Sequence, residues 1–181
     1  MLRILMILLL SGCAPKTPPD CNVTKNVYGV YVKQKGPYMC LHLDASVSPS
    51  HTEGIVAAVE AINEALGYRY IQFDYPCNNV ISVEYSSWSG EPKQTAYATR
   101  WYDYKNINSS RIYFNEDMYN IGTGKGYVDM KTLATHEIMH IMGYNHVSDK
   151  DSVLYPTLGY DKIKQLTNSD IESLRCVYGK D

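Results

Sequence analysis

Phenylalanine and tryptophan are scarce in this chain, two of each among 181 residues, so its aromatic surface is carried almost entirely by 17 tyrosines. Such a chain packs amphipathically, with rings buried and hydroxyls held at a wet margin. Charge of one sign is also missing: 17 Lys and Arg face 19 Asp and Glu, without a long run of either, for a net charge of -2. That removes the electrostatic footprint of a nucleic-acid-binding protein. No apolar run approaches the ~20 residues that a membrane-spanning helix requires; the longest is Ile4 to Leu10. Proline and glycine number only 8 and 12 while 45% of residues are apolar, which excludes disordered and fibrous classes. No repeat and no linker interrupts residues 27–181, and this length fits one domain rather than two.

The chain begins MLRILMILLLSGC, one Arg followed by a short apolar run and small residues before a cysteine. That is the layout of a processing segment. Leu10-Ser11-Gly12-Cys13 resembles the bacterial lipobox, whose cysteine becomes the lipidated first residue. The resemblance implies a signal peptide over 1–12, lipidated Cys13 and an extended tether over 13–26, and a domain over 27–181. It places the protein in a bacterial cell envelope, with Ala14 favouring the outer membrane and secretion as the alternative. Cys21, Cys40, Cys77 and Cys176 then form an even set, as expected of two disulfides in an exported chain, with three pairings open.

Along the domain, Val27 to Val32 and Tyr38 to Leu43 alternate as strands and suggest a hairpin about Lys33 to Pro37. Ser48 and Pro49 start an amphipathic helix with Ile55, Val59, Ile62 and Leu66 on one face. Strand-like stretches follow at Tyr70 to Asp74, Val80 to Tyr85, Thr95 to Trp101 and Arg111 to Asn115. Asp129 caps a second helix running through Gly143, and Thr167 with Asp170 caps a third that presents Ile171, Leu174 and Tyr178. The order gives an α+β domain with a single sheet.

Residues 136–146 read HEIMHIMGYNH. On a helix, His136 and His140 lie one turn apart on one face, with Glu137 beside the first, so their imidazoles converge on one ion. Zinc suits imidazole nitrogen, and three protein ligands leave a position for water, the arrangement of a catalytic site. Gly143, free to take a positive φ, ends the helix and turns the chain so that His146 supplies the third ligand. His42 and His51 lack such a pattern and read as structural or surface residues.

On these residues the chain resembles the metzincin metalloproteases, and among them the matrixins. GYVDMKTLATHEIMHIMGYNH from Gly126 is similar to the matrixin active-site helix and its approach, and SRIYFNED from Ser110 to the strand before it. LHLDASVSPSHTEGIVAAVEAINEALGY resembles the family's first strand and helix, and LTNSDIESLRCVYG its closing helix. The resemblance implies a metzincin-like zincin domain: one twisted, mostly parallel five-stranded sheet with an antiparallel edge strand over the cleft, an active-site helix and a C-terminal helix.

Three positions depart from the family. Leu154 in SVLYP stands where matrixins place the methionine that packs beneath the zinc, a change that keeps volume. Tyr113 replaces a histidine ligand of the second, structural zinc of vertebrate members, so one catalytic zinc is expected. Val147 follows the third histidine where Ser is usual. The resemblance further implies that Tyr155, Pro156, Thr157 and Leu158 wall the S1′ pocket, and that Tyr97, Ala98 and Thr99 line an extended peptide. Asn115, Glu116 and Asp117, with Asp103, offer oxygens where matrixins hold calcium.

The activity implied is peptide-bond hydrolysis by a zinc-dependent endopeptidase, with Glu137 taking the proton of the attacking water and passing it to the leaving amine. The partners expected are a peptide or protein substrate and, through Cys13, a membrane; nucleic acid is not expected, and the protein is read as a monomer. The alternative is a non-enzymatic envelope lipoprotein that keeps a zinc-stabilised metzincin scaffold for binding. Leu154 favours that alternative, whereas Glu137 argues against it.

Overall fold

The computed structural model describes residues 21–25, 32–74, 76–84, 94–116 and 119–180. The processing segment with Cys13, most of the expected first strand and Asp117 lie outside them. The first long element follows from its cap. Ser48 is extended and accepts a hydrogen bond from His51 N at 3.3 Å, while Pro49 occupies the first turn, where a missing N–H costs nothing. Helix α1 (Pro49–Leu66) then buries Ile55, Ala58, Val59, Ile62, Ala65 and Leu66.

The principal sheet has six strands, one more than expected. Its order is β1 (Lys33–Gln34), β6 (Asn106–Asn115), β4 (Asn79–Glu84), β2 (Met39–Leu43) and β3 (Ile71–Phe73), all parallel, with β5 (Ala96–Tyr102) antiparallel on β6. The added strand is also where the expected hairpin fails. Lys33 and Gln34 pair with Asn106 and Ile107 rather than with β2, and the buried Gln34 side chain donates to Ile141 O at 2.9 Å and Asn79 Oδ1 at 3.3 Å. These distant partners carry the chain across the sheet, so the glycine and proline after β1 mark a crossover instead of a turn. A separate two-stranded sheet joins β7 (Ile121–Gly122) to β8 (Val128–Asp129).

Helix α2 (Met130–Ile141) packs between α1 and strands β5 and β6. Its start lies so close to α1 that a Cβ on Gly54 would sit 2.5 Å from Met130 Cγ. Leu41, Ile81, Ile112 and Phe114 from the sheet join Ile55, Ile62, Ile138 and Met139 from the helices in one core. Burying each such side chain contributes about 1.5–3 kcal/mol. Helix α3 (Asn168–Tyr178) closes against α1 after a reciprocal capping box between Thr167 and Asp170. Disulfides join Cys21 to Cys176 and Cys40 to Cys77, which selects one of the three pairings.

Candidate active site

Asp129 sets α2 in place by accepting from Thr132 N at 2.8 Å and from Thr132 Oγ1 at 2.6 Å. The helix then presents His136, Glu137 and His140, and ends where Gly143 takes φ 112°. A Cβ at Gly143 would lie 2.5 Å from Val32 O and 3.1 Å from Val23 Cγ1, so both conformation and space demand glycine. Gly143 N donates to His140 O at 2.9 Å and Tyr144 N to Met139 O at 3.1 Å. The reversed chain delivers His146 to the other two histidines.

The three Nε2 atoms are mutually 3.0, 3.1 and 3.2 Å apart. His136 Nδ1 lies 2.7 Å from Val153 O, and His140 Nδ1 lies 2.9 Å from Tyr144 O. A carbonyl only accepts, so these Nδ1 atoms carry the protons and the Nε2 atoms carry lone pairs. Burial keeps both rings neutral, holding His136 down at about 4 and His140 at about 3. Converging lone pairs repel unless a cation lies among them. The donor set, imidazole nitrogens with two tautomers fixed by backbone carbonyls, fits zinc. Among the described residues this is the one group of three or more His, Cys, Asp or Glu side chains placed to hold a metal.

Glu137 lines the same cleft, about 530 Å³ in volume, with 4% of its surface exposed and Oε2 without a hydrogen-bond partner among the described residues. Burial pushes its carboxyl up to about 8. Beneath the histidines, Ser152, Val153 and Leu154 are fully buried. The buried Asp170 carboxylate accepts from Ser152 Oγ at 2.6 Å and from Val153 N at 3.2 Å, and Val153 O in turn receives His136. Leu154 O accepts from Val147 N at 3.2 Å, tying the same turn to the residue after His146.

Of the expected substrate contacts, Tyr97, Ala98, Pro156, Thr157 and Leu158 line the cleft. Thr99 and Tyr155 are not among its walls; Lys164 Nζ stands 5.0 Å from the Tyr155 ring centroid. The Tyr113 ring stacks on Tyr97 at 4.8 Å, filling with aromatic packing the place where a second zinc ligand was compared. Asp103 caps its own turn by accepting from Asn106 N, at the opposite end of β6 from Asn115 and Glu116. Glu116 pairs instead with buried His51, so the oxygens considered for calcium are spread over two places. Arg100 and Asn145 also line the cleft and were not singled out from sequence. The alternation of β5 carries the signal for Arg100, two residues beyond Ala98 on the same face.

Residues 82–179 match a family model described as Matrixin. Among curated proteins, metalloendoproteinase 2-MMP of Arabidopsis thaliana is 43% identical over 53 residues, covering 29% of this chain and 14% of that protein. Matrilysin of Felis catus is 39% identical over 71 residues, 38% of this chain and 27% of that protein. Matrix metalloproteinase-26 of Homo sapiens is 31% identical over 75 residues, 40% and 28% respectively. The aligned region thus spans less than a third of the length of each of these relatives.

Proposed function

The chain belongs to the matrixin family, and on that premise we propose that it is a zinc-dependent endopeptidase in which Glu137 activates the attacking water. The observation that carries this reading is the convergence of three imidazole Nε2 atoms within 3.2 Å of one another on the wall of a cleft that also holds an unpartnered Glu137 oxygen. His136, His140 and His146 would hold one zinc ion. When bound, zinc supplies Lewis acidity toward a peptide carbonyl and toward water. Glu137 would take the water proton on Oε2 and return it to the leaving nitrogen. Strand β5, hydrogen-bonded to β6 on one side, offers its other edge at Tyr97 and Ala98 to an extended peptide, with Pro156, Thr157 and Leu158 across the cleft.

The test uses the purified protein with casein as an unstructured substrate. We expect one zinc per chain and cleavage that stops on chelation and returns with added zinc. A fully zinc-loaded protein that cleaves neither casein nor a broad peptide library overturns the reading. For location, the reading is a lipid anchor on Cys13, outside the described residues, followed by a proline-rich tether that holds the domain at an envelope membrane. Mass spectrometry of the mature amino terminus decides it: a diacylated Cys13 is expected, and an unmodified terminus elsewhere in the chain rules it out.

A further inference from the structure

Strand β5 runs along the cleft from Gln94 toward Arg100 as α2 runs from Leu133 toward His140. At the His140 end, hydrogen-bond donors exceed acceptors. Arg100 lies on the helix-facing side of β5, paired with the fully buried Ser110, and its Nη1 donates to His140 O at 2.9 Å. A guanidinium has five N–H donors, and this is its one hydrogen bond among the described residues. No carboxylate among those residues pairs with it, although the residue is partly buried.

Asn145, the residue before His146, lines the same cleft. Its Oδ1 accepts from Thr24 Oγ1 at 2.9 Å, its backbone O accepts from Asn22 Nδ2 at 3.0 Å, and its N donates to Asn22 O at 3.2 Å. Among the described residues its two Nδ2 donors have no acceptor. Neighbouring carbonyls are engaged too: His140 O by Arg100 and Gly143 N, and Tyr144 O by His140 Nδ1. Capping the end of α2 needs one N–H of Arg100 and does not account for the donors of Asn145 in the same cleft.

A ligand that satisfies this end must bring acceptor oxygens and negative charge, and a planar carboxylate matches the guanidinium fork. We propose that Arg100 and Asn145 form a carboxylate-selecting subsite, so that the substrate is an extended peptide with an Asp or Glu side chain near the cleaved bond. This rests on the endopeptidase reading and adds a substrate class to it.

The test is a set of quenched peptides identical except for Glu or Gln at one position, with that position scanned along the peptide and each made with a free and an amidated carboxyl terminus. At one position the native protein should favour Glu over Gln in kcat/KM by roughly 10–100-fold, the range for a hydrogen bond to a charged group. Arg100→Gln should collapse that ratio toward one, Arg100→Lys should retain part of it, and Asn145→Asp, at an exposed residue, should lower it by adding like charge. Reading the ratio within each variant separates selectivity from any loss of overall rate. A native ratio near one, a ratio that survives Arg100→Gln and Asn145→Asp, or a preference that follows the free carboxyl terminus overturns the proposal. If nothing is cleaved, the endopeptidase reading falls alone, because fluorescence anisotropy of the same peptides on the Glu137→Gln protein still decides whether Glu binds more tightly than Gln.

Discussion

Glu137 combines deep burial with a carboxylate oxygen that has no hydrogen-bond partner among the described residues, which suits the role of base proposed for it. Replacing it with Gln keeps its shape but removes the proposed base. Zinc content should stay at one per chain while kcat falls by about 10²-fold or more, measured on a quenched peptide. A second outcome concerns the metal-free protein. His136 and His140 titrate at about 4 and about 3 when folded against 6.5 ordinarily, and burial also lowers His146, so below pH 6.5 the unfolded chain binds protons that the native chain does not. Stability is therefore lost as pH falls from 6.5 toward 4. Glu137 has the opposite sign: raised from 4.5 to about 8, it keeps a proton that the unfolded chain has released, so its contribution is lost as pH rises through that window. Urea unfolding of chelated protein should show maximum stability near pH 6.5, and Glu137→Gln should remove the decline between 6.5 and 8 while leaving the acid decline in place.

The turn after α2 is where local rules and distant packing meet. Gly143→Ala would force a side chain into a left-handed conformation and against Val32 O, at a cost of about 2 kcal/mol or more. Because the same turn delivers His146, zinc affinity should fall together with thermal stability. Asp170→Asn should act through the Ser152–Val153 segment instead. It weakens four hydrogen bonds to one carboxylate. Competition with a chelator should report zinc held about 10–100-fold less tightly. These elements also divide what the sequence discloses from what it does not. Caps at Ser48, Asp129 and Thr167 are written within a few residues of the helices they start, as is the spacing of His136, His140 and His146. Strand β1 is not, because Lys33 and Gln34 are fixed by partners on β6 and at Ile141. Arg100 has only the alternation of β5 as a local signal, and its place beside His140 depends on where β5 meets the end of α2.

Across the molecule, two disulfides close loops of very different size: Cys21–Cys176 spans 155 residues and Cys40–Cys77 spans 37. In the chain-entropy account they restrict the unfolded state by about 5 and about 4 kcal/mol. Paired Cys→Ser replacements should lower the unfolding free energy by no more than those amounts, with the Cys21–Cys176 pair the more damaging, as urea titration would show. An effect on metal binding is expected as well, from what lies beside it. Asn22 and Thr24, just past Cys21, hold Asn145 next to His146, and Val23 bridges to Tyr144. Reduction frees that segment at one end, so a thiol in the medium acts on the proposed third ligand, His146, through residues 22–24. Metal retention, and with it the proposed turnover, should decline as the surroundings become more reducing and recover on reoxidation.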